Sequence, residues 1–275
     1  MDRLENIDFC IRYLMRQNGV EADVPTTLEG KQRLLRALMN VTEVESRANV
    51  FATPKYSNDT EGNVWQPQPL SEEFLRAQDA ELQAQLQDRG VVEIENSKSK
   101  IEIWQGDITR LRVDAIVNAA NSVGLGCWHP LHACIDNAIH SAAGLQLRQE
   151  CHRLLAGCEI ATGDAIITSA YNLPCRYVIH TVGPIIPDGV PTRKQEEQLA
   201  DCYRNCLGLA ESNGCRSIAF CCISTGEFRF PNRRAAEIAV ETVKNHEFKD
   251  KHFSVVFNVF KGIDYDIYRE LLSKN

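Results

Sequence analysis

Apolar residues recur at helical spacing in three stretches of the amino-terminal region, which predicts helices near residues 2–17, 31–42 and 71–89. In the first stretch, Leu4, Ile7 and Ile11 fall on one face of such a helix. The composition changes between the second and third stretches, where residues 45–69 are rich in Asn, Ser, Thr, Gly and Pro. This segment is typical of a long surface loop. The pattern therefore predicts a helical extension over residues 1–92.

A different pattern follows, in which short runs rich in Val and Ile alternate with amphipathic stretches. The runs predict strands near residues 101–104, 113–119, 164–169, 176–182, 216–223 and 253–260. The amphipathic stretches predict helices near residues 131–143, 145–156, 194–212, 231–246 and 264–273. Alternation of this kind is typical of an α/β layered sheet. We therefore expect an α/β domain over residues 98–273.

Length and composition narrow the classes of protein to consider. The chain has 275 residues and a net charge of -7, which argues against a general nucleic-acid or anionic-membrane surface. An anionic small ligand stays possible, because backbone N–H groups and helix starts bind phosphates without basic side chains. The sequence has neither an apolar span typical of a membrane helix nor a signal-peptide pattern. Its 11 scattered cysteines indicate free thiols in a reducing compartment, so a cytoplasmic location is expected.

The first candidate for chemistry follows the apolar run at residues 113–119. Such a run suits a strand that is buried on both faces. In open α/β sheets the ligand crevice lies beyond the carboxyl ends of the strands, so Asn121 points to a binding site. The simpler alternative is that Asn118 and Asn121 only cap and turn the chain.

Cysteine and histidine cluster in the loop that comes next. Cys127, His132 and Cys134 fall within eight residues, and thiolate and imidazole are the ligands that zinc prefers. Three protein ligands leave one position open, which is typical of catalytic zinc. Two alternatives are buried thiols with an incidental histidine, and a closed structural site that also uses His129. The second is disfavoured because Pro130 restricts the residue before it to an extended backbone.

Other polar residues of interest each have a structural explanation as well. Asp136 would lie in the first turn of a helix, where the dipole favours a carboxylate, but it also follows a candidate zinc ligand by two residues. Asp107 is a turn residue whose carboxylate can cap local N–H groups. Residues 224–226 are small and precede a helix start, so their N–H groups could approach a phosphate or simply connect two elements. His180 and His140 are interpreted as core residues.

Five blocks of the sequence resemble macrodomains, the ADP-ribose-binding α/β fold, and they occur in the same order. They are GDIT, VDAIVNAAN, IDNAIHSAAG, YVIHTVGP and STGEFRFP. The chain departs from the hydrolytic pattern where GCWHPLHAC replaces the glycine run before the Val-Asp-Gly of the catalytic loop. This departure is similar to the zinc-containing macrodomains, which resemble one another in G-C-x-x-P-x-H-x-C-I-D-N and remove ADP-ribose from proteins. RLLRALMNV and SEEFLRAQDAELQ in the amino-terminal region also resemble that group.

The resemblance implies a three-layer α/β/α macrodomain fold with a mixed central sheet, and one Zn²⁺ per chain on Cys127, His132 and Cys134. The implied activity is zinc-dependent removal of mono-ADP-ribose from aspartyl or glutamyl esters of modified proteins, by hydrolysis at C1 of the distal ribose. Asn121 would fix the ribose hydroxyls, and Asp136 would orient or deprotonate the attacking water. The implied partners are ADP-ribose and an ADP-ribosylated protein.

The resemblance also implies a set of ADP-ribose-binding residues, with Asp107 and Ile108 at the adenine and a loop around the pyrophosphate and distal ribose. The full set is Asp107, Ile108, Asn121, Cys127, Ile135, Asp136, Ser224, Thr225, Gly226, Glu227 and Phe228. Two alternatives use the same scaffold: a module that binds ADP-ribose without cleaving it, and a hydrolase of small O-acyl-ADP-ribose esters.

Overall fold

The computed structural model describes residues 2–41, 67–94 and 101–273. The chain forms two compact units: unit 1 comprises Met1–Arg89 and Leu125–Gly157, and unit 2 comprises Gly90–Gly124 and Cys158–Asn275. The loop predicted at residues 45–69 lies almost entirely outside the described residues. Among the described residues, none of the helices has the length and apolar character needed to span a membrane. The division of the sequence into an extension and an α/β domain stays a prediction.

Unit 1 is helical. Its helices are α1 (Arg3–Asn18), α2 (Leu28–Leu38), α3 (Glu72–Arg89), α4 (Ile135–Ala143) and α5 (Leu145–Leu155). The buried core between the first three is formed by Ile7, Cys10, Ile11, Leu14, Leu34, Leu35, Leu38, Phe74 and Leu82. These positions recur every three or four residues, so the amphipathic pattern of the sequence accounts for the packing.

Two helices of unit 1 begin at positions that differ from the predictions. Helix α2 begins at Leu28, because Thr27 Oγ1 accepts a hydrogen bond from the backbone N–H of Gly30 at 3.2 Å and acts as the N-cap. Helix α4 begins at Ile135, because Cys134 occupies its N-cap and accepts from the backbone N–H of Asn137. The preceding residues from 131 onward therefore belong to a loop.

Unit 2 contains the sheet. Its strands are β1 (Val92–Glu93), β2 (Ile101–Gln105), β3 (Leu111–Arg112), β4 (Ala115–Ala119), β5 (Ala165–Ser169), β6 (Tyr177–Thr181), β7 (Ser217–Phe220) and β8 (Ser254–Val259). Its helices are α6 (Arg193–Ser212), α7 (Asn232–Lys244) and α8 (Gly262–Ser273), and a short 3-10 turn covers Ile108–Arg110. The two-residue strands β1 and β3 pair with each other and were not predicted.

The main sheet is mixed, with the strand order β2-β8-β7-β4-β6-β5. Its pairs are parallel except for β5, which runs antiparallel to β6. The predicted α/β fold with a mixed sheet and an amino-terminal helical segment is confirmed. Because the other strands are parallel, the carboxyl ends of β2, β8, β7, β4 and β6 share one edge of the sheet, and the loops that leave this edge can build one site.

His180 lies in the interior of this sheet and supports its packing. Its ring nitrogens lie 3.1 Å from Asn118 Nδ2 and 3.0 Å from Thr168 Oγ1. Complete burial lowers the pKa of His180 to about 3, so the ring is neutral at neutral pH. These contacts agree with a structural role for His180.

Candidate functional site

The loop before α4 brings three metal-ligating side chains together within unit 1. The ligand atoms of Cys127, His132 and Cys134 all lie within 4.8 Å of one another. Cys127 Sγ is 3.4 Å from His132 Nδ1. Zinc bonds of about 2.3 Å to sulfur and about 2.0 Å to nitrogen place tetrahedral donors roughly 3.5 Å apart, so this pair already has the required spacing.

The electrostatics of the two thiols also suit a cation. A hydrogen bond with Cys134, together with the backbone N–H of His129 and the ring of His132, lowers the pKa of Cys127 to about 5. The same contact raises the pKa of Cys134, because the two sulfurs retain one proton between them. A divalent cation can replace that proton and stabilise both thiolates. The donor set therefore fits zinc.

His129 does not join this group of ligand atoms among the described residues. It begins a turn in which the backbone N–H of His132 donates to the carbonyl of His129 at 3.1 Å. Pro130 and Leu131 form the corner of the turn, and Leu131 has a positive φ of 59°. The ring of His129 lies 5.5 Å from that of His132, measured between centroids. The turn thus presents one histidine, His132, to the two cysteines.

Asp136 lies in the first turn of α4, next to Ile135 and two residues after Cys134. Its side chain is 7% exposed, and Oδ1 lies 3.5 Å from Nε2 of His140 one helical turn further on. Gly126, with a φ of +85°, passes the same ring so closely that an added Cβ would lie 2.8 Å from it. The loop therefore needs glycine at this position, and Asp136 lies beside the ring of His140.

At the edge of unit 2, Asp107 and Ile108 follow β2. Asp107 Oδ1 accepts from the backbone N–H of Thr109 at 3.0 Å and from its hydroxyl at 2.7 Å, so the carboxylate caps the 3-10 turn. Ile108 is buried. Asp107 therefore caps local N–H groups, as its position in a turn predicted. These contacts fix the direction in which its carboxylate points.

Asn121 follows β4, close to the middle of the same edge. Its Oδ1 and its backbone carbonyl both accept from the backbone N–H of Gly124, each at 3.0 Å. The amide thus closes a turn, as the simpler alternative expected. An amide can accept at Oδ1 and donate from Nδ2 at the same time, so this turn is compatible with a ligand contact from Asn121.

The loop of residues 224–228 follows β7 and precedes α7. Ser224 has a positive φ of 64°, and its carbonyl accepts from the backbone N–H of Phe230 at 2.9 Å. Within the parts of the chain that the structure describes, the backbone N–H groups of Ser224, Gly226 and Phe228 donate to no protein acceptor. Neighbouring N–H groups without internal acceptors are the donors that a pyrophosphate needs.

A second loop, which follows β6, packs against the first. The backbone N–H of Ile186 donates to the carbonyl of Phe228 at 2.8 Å. Gly183 approaches so closely that an added Cβ would lie 2.0 Å from Ser224 Oγ. That hydroxyl is buried and has no hydrogen-bond partner among the described residues. A buried polar atom of this kind is suited to a ligand.

Sequence reasoning missed one residue at this edge. Phe260 directly follows β8, the neighbour of β2, and its ring is 76% exposed. Gln105 Nε2 donates to the carbonyl of Phe260 at 3.3 Å, which places the aromatic beside the Asp107 turn. An exposed aromatic ring is suited to stacking on a base. The sequence signal was its position immediately after the last strand.

Comparisons with known proteins identify relatives of this chain. The Macro domain family model matches residues 117–239. A protein-ADP-ribose hydrolase of Treponema medium is 45% identical over 99% of this chain and 100% of its own. One from Staphylococcus aureus is 41% identical over 90% of this chain and 98% of its own.

Solved macrodomain structures are also similar. One is a mutant of the Oceanobacillus iheyensis macrodomain with ADPR, which is 42% identical with a TM-score of 0.57 and covers 63% of this chain and 91% of its own. The Trypanosoma brucei macrodomain in complex with ADP-ribose is 32% identical with a TM-score of 0.58, covering 74% and 92%. With such relatives over nearly its whole length, the chain belongs to the macrodomain family, among the protein-ADP-ribose hydrolases.

Proposed function

We propose that this protein is a zinc-dependent hydrolase that removes mono-ADP-ribose from aspartyl or glutamyl esters of modified proteins. The observation that carries the proposal is the Cys127, His132 and Cys134 cluster, two residues before the buried Asp136. Relatives that share at least 41% identity over 90% or more of this chain bear the name protein-ADP-ribose hydrolase, which supports the reaction class.

Unit 2 binds the nucleotide part of the substrate in this proposal. Asp107 accepts a hydrogen bond from the adenine amino group, Ile108 adds a backbone contact, and the ring of Phe260 stacks on the base. The N–H groups of Ser224, Gly226 and Phe228 and the start of α7 bind the pyrophosphate, because a helix amino-terminus favours negative charge. Phe228 packs against the distal ribose.

The reaction is hydrolysis at C1 of the distal ribose. The oxygen of a water molecule bonds to C1, the bond from C1 to the carboxylate oxygen of the modified residue breaks, and the water loses a proton. Asp136 orients that water and accepts the proton. Its negative charge also stabilises the positive charge that develops at C1.

The remaining groups hold the sugar. Nδ2 of Asn121 donates to a ribose hydroxyl, while its Oδ1 stays bound to the N–H of Gly124. Cys127, His132 and Cys134 would hold a zinc ion, which would supply Lewis-acid polarisation near the ribose. Two thiolate ligands reduce the acidity of such an ion, so positioning and polarisation are favoured over activation of water.

A time course of ADP-ribose release tests the proposal. The substrate is a protein carrying mono-ADP-ribose on acidic side chains, with serine-linked and arginine-linked substrates and O-acetyl-ADP-ribose as comparisons. Wild-type protein should release ADP-ribose over many turnovers, and Asp136→Asn, which keeps the shape of the side chain, should lose most of that rate while still binding ADP-ribose. Tight binding without release by the wild type would instead identify a reader module.

A further inference from the structure

The backbone of the zinc-ligand loop is held at both ends of its turn by side chains from helices. The turn runs from His129 to His132, and each of these two carbonyl groups accepts a hydrogen bond from a helical side chain of unit 1. The backbone of this turn is energetically unfavourable, because Leu131 adopts a positive φ of 59° that a non-glycine residue avoids. Such backbone persists only where its surroundings hold it in place.

Arg36 of α2 holds one end of the turn. Its Nη2 donates to the carbonyl of His132 at 3.2 Å, directly at the residue whose ring joins the two cysteines. The same guanidinium donates from Nε and Nη2 to Oδ1 of Asn137, at 3.0 and 2.7 Å. Arg36 is partly buried, so these bonds are shielded from water.

Asn137 of α4 holds the other end. It is fully buried, and its Nδ2 donates to the carbonyl of His129 at 2.9 Å. Its backbone N–H donates to Cys134 Sγ at 3.4 Å, so one residue contacts the turn, Arg36 and a proposed zinc ligand.

The beginning of the loop has a separate anchor. Arg148 of α5 is 3% exposed, and its Nε donates to the carbonyl of Leu125 at 2.8 Å while Nη2 donates to Oδ1 of Asn40 at 2.8 Å. Its guanidinium lies 3.9 Å from the centre of the Trp128 ring, beside Cys127. Leu131 packs its side chain against the helical core of unit 1.

We propose that Arg36 and Asn137 are positioning residues for the metal, which they support by fixing the His129–His132 turn before the ion binds. The inference rests on the proposed zinc site. It gives the amino-terminal segment a specific role, because α2 supplies one of the two residues that orient the His132 ligand. Positioning partners of metal ligands of this kind are typically worth about 10- to 100-fold in metal affinity.

The experiment measures the zinc affinity of the full chain by competition with a chromogenic chelator, for wild type and four variants. Arg36→Ala removes the three hydrogen bonds to His132 and Asn137 and should weaken zinc binding about 10- to 100-fold. Arg36→Lys keeps one donor and should recover part of the loss. Asn137→Asp keeps the acceptor for Arg36 but loses the donor to His129, so it should weaken zinc binding as well. Arg33→Ala is the matched control, since Arg33 is an exposed arginine on the same helix.

Two further readouts separate positioning from loss of fold. Thermal unfolding of the metal-free proteins should show a loss of stability in Arg36→Ala and almost none in Arg33→Ala, because only the first leaves a buried amide without its partner. Co²⁺ loading should give altered ligand-field bands only for the Arg36 and Asn137 variants, which a loss of stability alone does not produce. If Arg36→Ala is too unstable to purify, the zinc affinity of Asn137→Asp tests the inference by itself. Wild-type affinity and spectra in these variants overturn the inference while leaving the proposed hydrolase intact. A wild-type protein that binds no zinc overturns both.

Discussion

Substitution of Gly183 by alanine tests whether the loop at residues 224–228 binds the pyrophosphate. The added Cβ would lie 2.0 Å from Ser224 Oγ and 2.8 Å from Cγ2 of Ile223, which is fully buried. The backbone at Gly183 is outside the left-handed region, so alanine meets no conformational penalty there. The effect of the substitution is therefore purely one of space.

The size of the effect follows from these distances. Carbon contacts settle at about 3.5 Å, so the neighbouring loop must move by roughly 1.5 Å or Ser224 must rotate its hydroxyl away. A shift of that size breaks hydrogen bonds from the loop N–H groups to a phosphate. A hydrogen bond to a charged group contributes about 1.5–3 kcal/mol, so affinity for ADP-ribose should fall about 10- to 100-fold. Overpacking should also cost about 1–3 kcal/mol of stability.

Isothermal titration calorimetry with ADP-ribose, together with thermal unfolding, measures both effects. The matched control is Gly208→Ala in α6, where an added Cβ meets nothing within 4 Å. This change should leave affinity unchanged and raise stability slightly, because alanine is favoured over glycine inside a helix. If Gly183→Ala binds ADP-ribose as tightly as the control does, the assignment of the phosphate loop is wrong.

Three further predictions concern other parts of unit 2. Asp107→Ala should weaken ADP-ribose binding by about 1.5–3 kcal/mol, and Asp107→Asn, which keeps an acceptor for Thr109, shows by calorimetry how much of the loss comes from the turn. Phe260→Ala should weaken binding of ADP-ribose by about 1–3 kcal/mol and leave affinity for ribose 5-phosphate unchanged, because the ring is proposed to contact only the base. His180 has its pKa lowered by burial from 6.5 to about 3, so between these values the unfolded chain binds a proton that the folded chain does not. This group should therefore lower the free energy of unfolding by about 1.4 kcal/mol for each pH unit below the pKa of the unfolded chain. Urea unfolding at several pH values measures that dependence, which should be weaker in His180→Gln.

Much of the fold could be predicted because its signals are local. Val and Ile runs become the strands of the sheet, and helical periodicity places α1, α3 and α5 within a residue or so of their observed ends. The errors occur where side chains cap helices. Thr27 and Cys134 set the starts of α2 and α4, and neither cap was recognised from the sequence. The short pair β1 and β3 has too few residues to produce a period.

Some residues of the candidate site could be predicted from local signals in the sequence, and others could not. Cys127, His132 and Cys134 could be grouped from their spacing, since all three lie in one loop. The contact between Arg36 and Asn137 joins residues 101 positions apart, and no local pattern predicts such a pair. Phe260 was missed because a single exposed aromatic residue has no periodicity. Its position near Asp107 becomes visible only when β8 is seen to pair with β2.

The most direct test of the central proposal is the rate of ADP-ribose release before and after removal of zinc. The purified protein should contain about one zinc per chain, as three donors from one loop predict. Dialysis against a chelator should abolish release from an aspartyl- or glutamyl-linked substrate, and added Zn²⁺ should restore it. A metal-free protein that keeps its full turnover would contradict a zinc-dependent hydrolase.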